Sequence, residues 1–120
     1  MTVVSDYIEW HNATRRKFGP RSMALVQVGQ FAESYTYVDD DGSFTLPGFD
    51  DFLSVTGLAT GNKALSGKKC KMAGVPVSQL EKYVNILVDA GWTVAYYKQD
   101  IPAANSTRSL DRIYSPSVRI

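Results

Sequence analysis

The most constraining stretch of the chain runs from Ser78 to Tyr97, where the hydrophobic period changes across a single glycine. Leu80, Tyr83, Val84, Leu87 and Val88 stand at the i, i+3, i+4, i+7 and i+8 positions of one apolar stripe, which predicts an amphipathic helix over Ser78 to Ala90. Gly91 is placed to stop it. Trp92 to Tyr97 then alternates and is rich in β-favouring side chains, the pattern of a strand.

The other elements are read in the same way. Ser5 is placed to cap a helix starting at Asp6, on which Tyr7, Trp10, His11, Thr14 and Phe18 share a side until Gly19 and Pro20 end it. Ser22 to Val28 reads as a buried strand and Ala32 to Val38 as a second. Asp39 to Ser43 is a turn. Phe49 to Val55 forms a short helix ended near Gly57, and Gly61 to Lys69 an exposed loop or hairpin tip. Ile101 to Thr107 is a connection, followed by a short strand at Leu110 to Tyr114. Helices interleaved with strands predict an α/β fold: a single domain, residues 1–120, with a central mixed β-sheet flanked by helices. A chain of 120 residues is long enough to bury one core without staples.

Several function classes lack their residues. One cysteine, Cys70, cannot form an internal disulfide framework, which suits a reducing, intracellular setting. No apolar run reaches the roughly 18 residues of a membrane span, so no membrane partner is expected. One histidine, His11, and one cysteine make no zinc constellation, and it reads as a surface or boundary residue rather than a ligand. No Gly-Lys-Ser/Thr phosphate loop is present, and no acid/base constellation suggests a nuclease. Asp50 and Asp51 read as surface acids at a helix start. The expectation is a non-enzyme without cofactors. A net charge of +1 does not suit a protein that grips nucleic acid by charge alone, although bases gather at Arg15, Arg16, Lys17 and Arg21 and at Lys68, Lys69 and Lys71.

Within Val28 to Tyr35, VGQFAESY, a phenylalanine and a glutamate stand two apart just past a strand end. Val28-Gly29-Gln30-Phe31-Ala32-Glu33 resembles the Gly-x-Phe-Tyr-Glu segment of the MutS mismatch-repair family. Met72-Ala73-Gly74-Val75-Pro76 and the helix after it resemble that family's Met-Ala-Gly-Ile/Val-Pro segment. Gly91-Trp92-Thr93-Val94-Ala95, running on to Lys98-Gln99, is similar to its Gly-Tyr-x-Val-Ala strand ending in Glu-Gln. Arg112-Ile113-Tyr114-Ser115-Pro116 resembles the close of the same domain, in wording nearest the branch found in giant viruses and octocoral mitochondria. The order and spacing of the four segments cover most of the chain and correspond to the N-terminal mismatch-recognition domain, without clamp or ATPase.

The resemblance implies a DNA-binding module that meets mispaired duplex DNA from the minor groove. Phe31 would wedge beside the mispaired base and Glu33 would hydrogen-bond to it; Lys68, Lys69 and Lys71 would hold the backbone, with Met72 near the groove. The domain would be intracellular, in a virus-encoded or mitochondrial setting, would bind weakly alone, and would work with the remaining MutS domains or a larger assembly. Ala32 stands where the family has tyrosine, Lys98 where it commonly has glutamate, and Ser117 where it has glycine. Ala32 is read as the loss of an aromatic beside the wedge. These departures leave open a second function: a repurposed MutS-like domain serving as a structural or interaction subunit.

Overall fold

The computed structural model describes residues 3–63, 69–100 and 107–116. Along the chain run α1 (Val3–Phe18), β1 (Ser22–Val28), β2 (Phe31–Tyr37), α2 (Phe49–Thr56), β3 (Gly61–Lys63), β4 (Cys70–Pro76), a 3-10 turn (Val77–Gln79), α3 (Leu80–Asp89), β5 (Thr93–Gln99) and β6 (Arg108–Tyr114). The strands form one six-stranded sheet in the order β3-β4-β2-β1-β5-β6. Only β1 and β5 run parallel among these neighbours, so the sheet is mixed, as the alternation of elements predicted.

The apolar stripe of α3 buries Leu80, Val84, Leu87 and Val88. Its end has a specific cause. Gly91 takes a φ of 94°, which lets its N–H donate to the Val88 carbonyl at 2.9 Å and the Trp92 N–H to the Leu87 carbonyl at 3.0 Å. This is the Schellman pattern, and a side chain at that φ would be strained. The Arg21 guanidinium adds a bond to the Ala90 carbonyl at 2.5 Å and lies over the Trp92 ring, favourable for a cation at a helix C-terminus.

Three expectations change, and one strand stands where no element was expected. The helix starting point moves: α1 already includes Val3, and burial of Val4 draws the helix past the expected start, so Ser5 lies inside the first turn rather than at the cap. The start of the Ser78 to Ala90 segment is 3-10, with the α-helix proper beginning at Leu80. A seven-residue strand, β4, occupies Cys70–Pro76, where a glycine and a proline hide any strand signal; pairing to β2 on one side and β3 on the other overrides that weak propensity. His11 is buried, not at the surface. The expected connection from Ile101 lies almost wholly outside the described residues.

His11 is buried because β1 and β2 separate. Their ladder holds Val28↔Phe31, Gln27↔Ala32 and Val26↔Glu33 and goes no further. Beyond it, α1 supplies partners to Ala24. The Tyr7 hydroxyl donates to the Ala24 carbonyl at 2.7 Å and so accepts from the Ser34 hydroxyl, also at 2.7 Å. The Ala24 N–H donates to His11 Nδ1 at 3.2 Å, and His11 Nε2–H donates to the Pro47 carbonyl at 2.7 Å. A backbone N–H only donates and a carbonyl only accepts, so these partners require the neutral Nε2–H tautomer. Trp10 stacks on Tyr97 at 4.7 Å between centroids and secures α1 to β5.

Burial pulls the His11 pKa down from its ordinary 6.5 to about 4, opposed by the Pro47 carbonyl and assisted by the charge of Arg15. The folded state therefore binds fewer protons than the unfolded chain between these two values. Its contribution to stability is complete above pH 6.5 and is lost as pH falls towards 4, amounting to about 3 kcal/mol. As the chain has one histidine, NMR titration of its ring carbon needs no assignment, and urea midpoints between pH 7 and 4.5 should fall with it. A ring titrating near 6.5 in the folded protein would refute the buried neutral tautomer.

Candidate nucleic-acid interface

The turn joining β1 to β2 consists of Gly29 and Gln30. Gly29 has a φ of 60° and among the described residues no non-glycine has positive φ, so Gln30 does not, the II′ pattern suited to a two-residue hairpin. Phe31 follows as the first residue of β2, and 47% of its surface is exposed. An aromatic ring left half in water at a hairpin tip contributes little to a core.

Side chains alternate along β2, so Phe31, Glu33 and Tyr35 share one face. Phe31 and Glu33 border a cleft of about 300 Å³ whose lining also includes Met72, Ala73 and Gly74 of β4, Gly61 of β3 and Ala59 before it. The space exists because two cross-strand positions carry no side chain: Gly74 is opposite Glu33 and Gly61 is opposite Met72. A Cβ on Gly74 would lie 2.8 Å from the Ala32 carbonyl oxygen and 2.9 Å from Glu33 Cγ. Glycine there lets the Glu33 side chain lie across β4.

Glu33 is only 6% exposed. The Tyr35 hydroxyl donates to its Oε1. Burial, then the hydrogen bond to Glu33 and its negative charge, push the Tyr35 pKa far above the usual phenol range, with Arg108 acting in the opposite sense. Tyr35 therefore remains a hydrogen-bond donor at any physiological pH. Its ring meets Tyr7 edge-on at 5.7 Å, so α1, the buried carboxylate and the cleft form one packed series.

Phe31, Glu33 and Met72 are thus brought together, and the basic residues are not. Lys71 alternates with Met72 along β4 and belongs to the other face of the sheet, level with Thr36. Lys69 is exposed at the far end of β2 and β4, where its carbonyl accepts from the Val38 N–H, roughly 23 Å along the strand from Phe31. Lys68 and Ser117 lie outside the described residues. Of the other basic cluster, Arg15 is tied to the Pro20 carbonyl at 2.7 Å and Arg21 to α3, so both serve the fold.

Ala32 requires a correction. It is fully buried and alternates away from Phe31, opposite Val75 and Gln27. The small side chain is a packing feature of the reverse face, not a missing aromatic beside the wedge.

A family model, MutS domain I, matches residues 19–120. The chain belongs to the MutS domain I family. Domain I serves recognition of mismatched DNA in general; it binds DNA and is non-catalytic, the ATPase of MutS proteins being in another domain. No curated protein gives a significant match to the chain. No helix among the described residues is long and apolar enough to cross a membrane. In MutS domain I terms, α1 precedes the matched range, yet its Tyr7 and His11 complete the packing behind β2.

Sequence reasoning missed Tyr35 as the partner of Glu33 and Gly74 as the residue that makes room for it. Both residues stand in the sequence, but only the β2–β4 register and the folded side chains show what they do. Gly74→Ala should destabilise the domain by about 1–3 kcal/mol, since backbone as well as side chain must shift. Urea denaturation measures this, and an unchanged midpoint would show that Glu33 does not need that space.

Proposed function

We propose that this chain is a mismatch-recognition module that meets mispaired duplex DNA from the minor groove, with Phe31 entering the base step at the mispair and Glu33 hydrogen-bonding to the base displaced there. The observation that carries the reading is the half-exposed Phe31 at a hairpin tip beside a cleft that holds a recessed carboxylate.

A wedge must unstack a base step at a cost of a few kcal/mol, less where pairing is already poor, so it selects for deformability. The aromatic face offsets part of the lost stacking, by about 1–3 kcal/mol in single-strand systems. Glu33 supplies the check. A carboxylate brought near phosphates is unfavourable unless it meets a donor or takes up a proton, which penalises a base that offers no such contact. Because it is recessed and one oxygen already accepts from Tyr35, only a group that enters the cleft reaches it. Met72 forms the apolar floor. Lys68 and Lys69 would meet phosphate, Lys69 well away from the wedge, whereas the face occupied by Lys71 gives it no share in the cleft. With a net charge of +1 the domain binds weakly alone and works beside the remaining MutS domains, in an intracellular setting; the Ile113-Tyr114-Ser115-Pro116 wording favours the giant-virus and octocoral-mitochondrial branch.

A second reading, a subunit docked in a larger assembly, draws on β6. This strand ends the sheet, and Leu110 on it is 48% exposed. Co-purification of the untagged protein with a stable complex would favour it.

Anisotropy titrations of mismatched and matched duplexes at low and moderate salt test the first reading. Phe31→Ala should remove the preference for mismatched DNA, lowering that affinity about tenfold, and leave salt-dependent binding to matched DNA unchanged. If mismatched DNA gains nothing and Phe31→Ala alters nothing, the recognition reading is wrong.

A further inference from the structure

On its β1 side the hairpin that carries Phe31 projects beyond the neighbouring ladder, while on the β2 side pairing with β4 runs to Phe31↔Pro76. The β1–β5 ladder ends at Val26↔Tyr97, and three residue pairs of β1–β2 are all that join the two arms. So short a pairing adds little order to the turn, and the β4 ladder supports only the β2 arm. Side chains from distant parts of the chain continue where the ladders stop. Gln99, buried at the end of β5, accepts the Gly29 N–H at its Oε1 at 2.7 Å. Gln27 accepts the Gln99 N–H at 2.9 Å and donates to the Gly29 carbonyl at 3.0 Å. Arg108 of β6 donates from Nε to the Gln27 carbonyl at 2.6 Å. On the opposite side, the Val77 N–H donates to the Gln30 carbonyl at 2.8 Å.

The Gly29 N–H and the Gln30 carbonyl are therefore held from outside the hairpin, and the Gly29 carbonyl by Gln27 of β1, which Gln99 and Arg108 hold in turn. A solvent-exposed turn has no need of this for satisfaction, because water would serve the same groups. What the side-chain bonds add is a fixed position for the next residue. We infer that Gln99 and Gln27 are positioning residues that preorganise the Phe31 tip for insertion into a distorted base step, with Arg108 holding Gln27 in place. The inference rests on the wedge reading of Phe31. An unclamped tip must be ordered on binding, and ordering of that kind lowers affinity without removing any contact to DNA.

The test uses the full chain. Gln99→Met keeps the side-chain length and removes the acceptor; Gln99→Glu keeps an acceptor for Gly29. Gly29 is exposed, so water replaces the lost bond and the fold persists; should Gln99→Met nevertheless fail to fold, Gln27→Met probes the same clamp from β1. Three quantities are read: amide exchange at Gly29, affinity for mismatched and matched duplexes, and fluorescence of 2-aminopurine placed beside the mispair, which rises on unstacking. Gln99→Met should speed Gly29 exchange, lower mismatched-duplex affinity about tenfold, reduce the fluorescence rise and leave matched-duplex binding alone. Gln99→Glu should recover much of the loss. In a Phe31→Ala background, Gln99→Met should have no further effect on DNA binding. If Gly29 exchanges faster while mismatched binding and fluorescence stay as in the parent, the positioning role is overturned even though Phe31→Ala still abolishes selectivity. If Phe31→Ala is itself silent, the wedge reading has failed and the positioning role falls with it.

Discussion

The separation of β1 from β2 after three residue pairs is the constraint on which the rest of the structure depends. Strands that part inside a sheet expose backbone groups with no ladder partner, and buried groups of that kind are rarely left unpaired. Tyr7 and His11 answer both groups of Ala24 from one helix. The far half of β2 takes a different neighbour: the returning chain bridges Val38↔Phe44, and the Thr45 N–H reaches the Tyr37 carbonyl. What remains of the β1–β2 pairing is a short arm: the β2–β4 ladder supports it as far as Phe31↔Pro76, and the Gly29 turn beyond is anchored by Gln99.

The face of the sheet beneath the tip is built by subtraction. A glycine at 74 and another at 61 leave the room that a carboxylate and an open cleft require. Strand alternation then sorts neighbours in sequence into different environments. Phe31 and Glu33 border the cleft while Ala32 between them is core, and Met72 lines the cleft while Lys71 beside it does not.

Much of this was legible in advance. The stripe from Leu80 to Val88, the stop at Gly91 and the alternation after it carry strong local signals because each element's own period decides them. Phe31 and Glu33 stood out through their spacing and their likeness to a known segment. The remainder depended on register, which no local pattern encodes. CKMAGVP reads poorly as a strand until β2 and β3 flank it. His11 has an apolar helical phase, but nothing in that phase says that a strand nearby has lost its partner. Lys69 and Lys71 look like one basic cluster in the linear chain and diverge as soon as β4 is extended.

The bonds that steady the Gly29 turn join residues 70, 72 and 81 positions apart. Contacts across such separations form only after long loops have closed, so they come late in folding and open early when the sheet loosens. The geometry of the tip is consequently a property of the whole sheet. Any partial opening that detaches β5 from β1 would soften the tip before the hairpin itself came apart. Damage far from the cleft, in the packing of Trp10 on Tyr97 for example, would reach Phe31 as a loss of order rather than as a loss of contact.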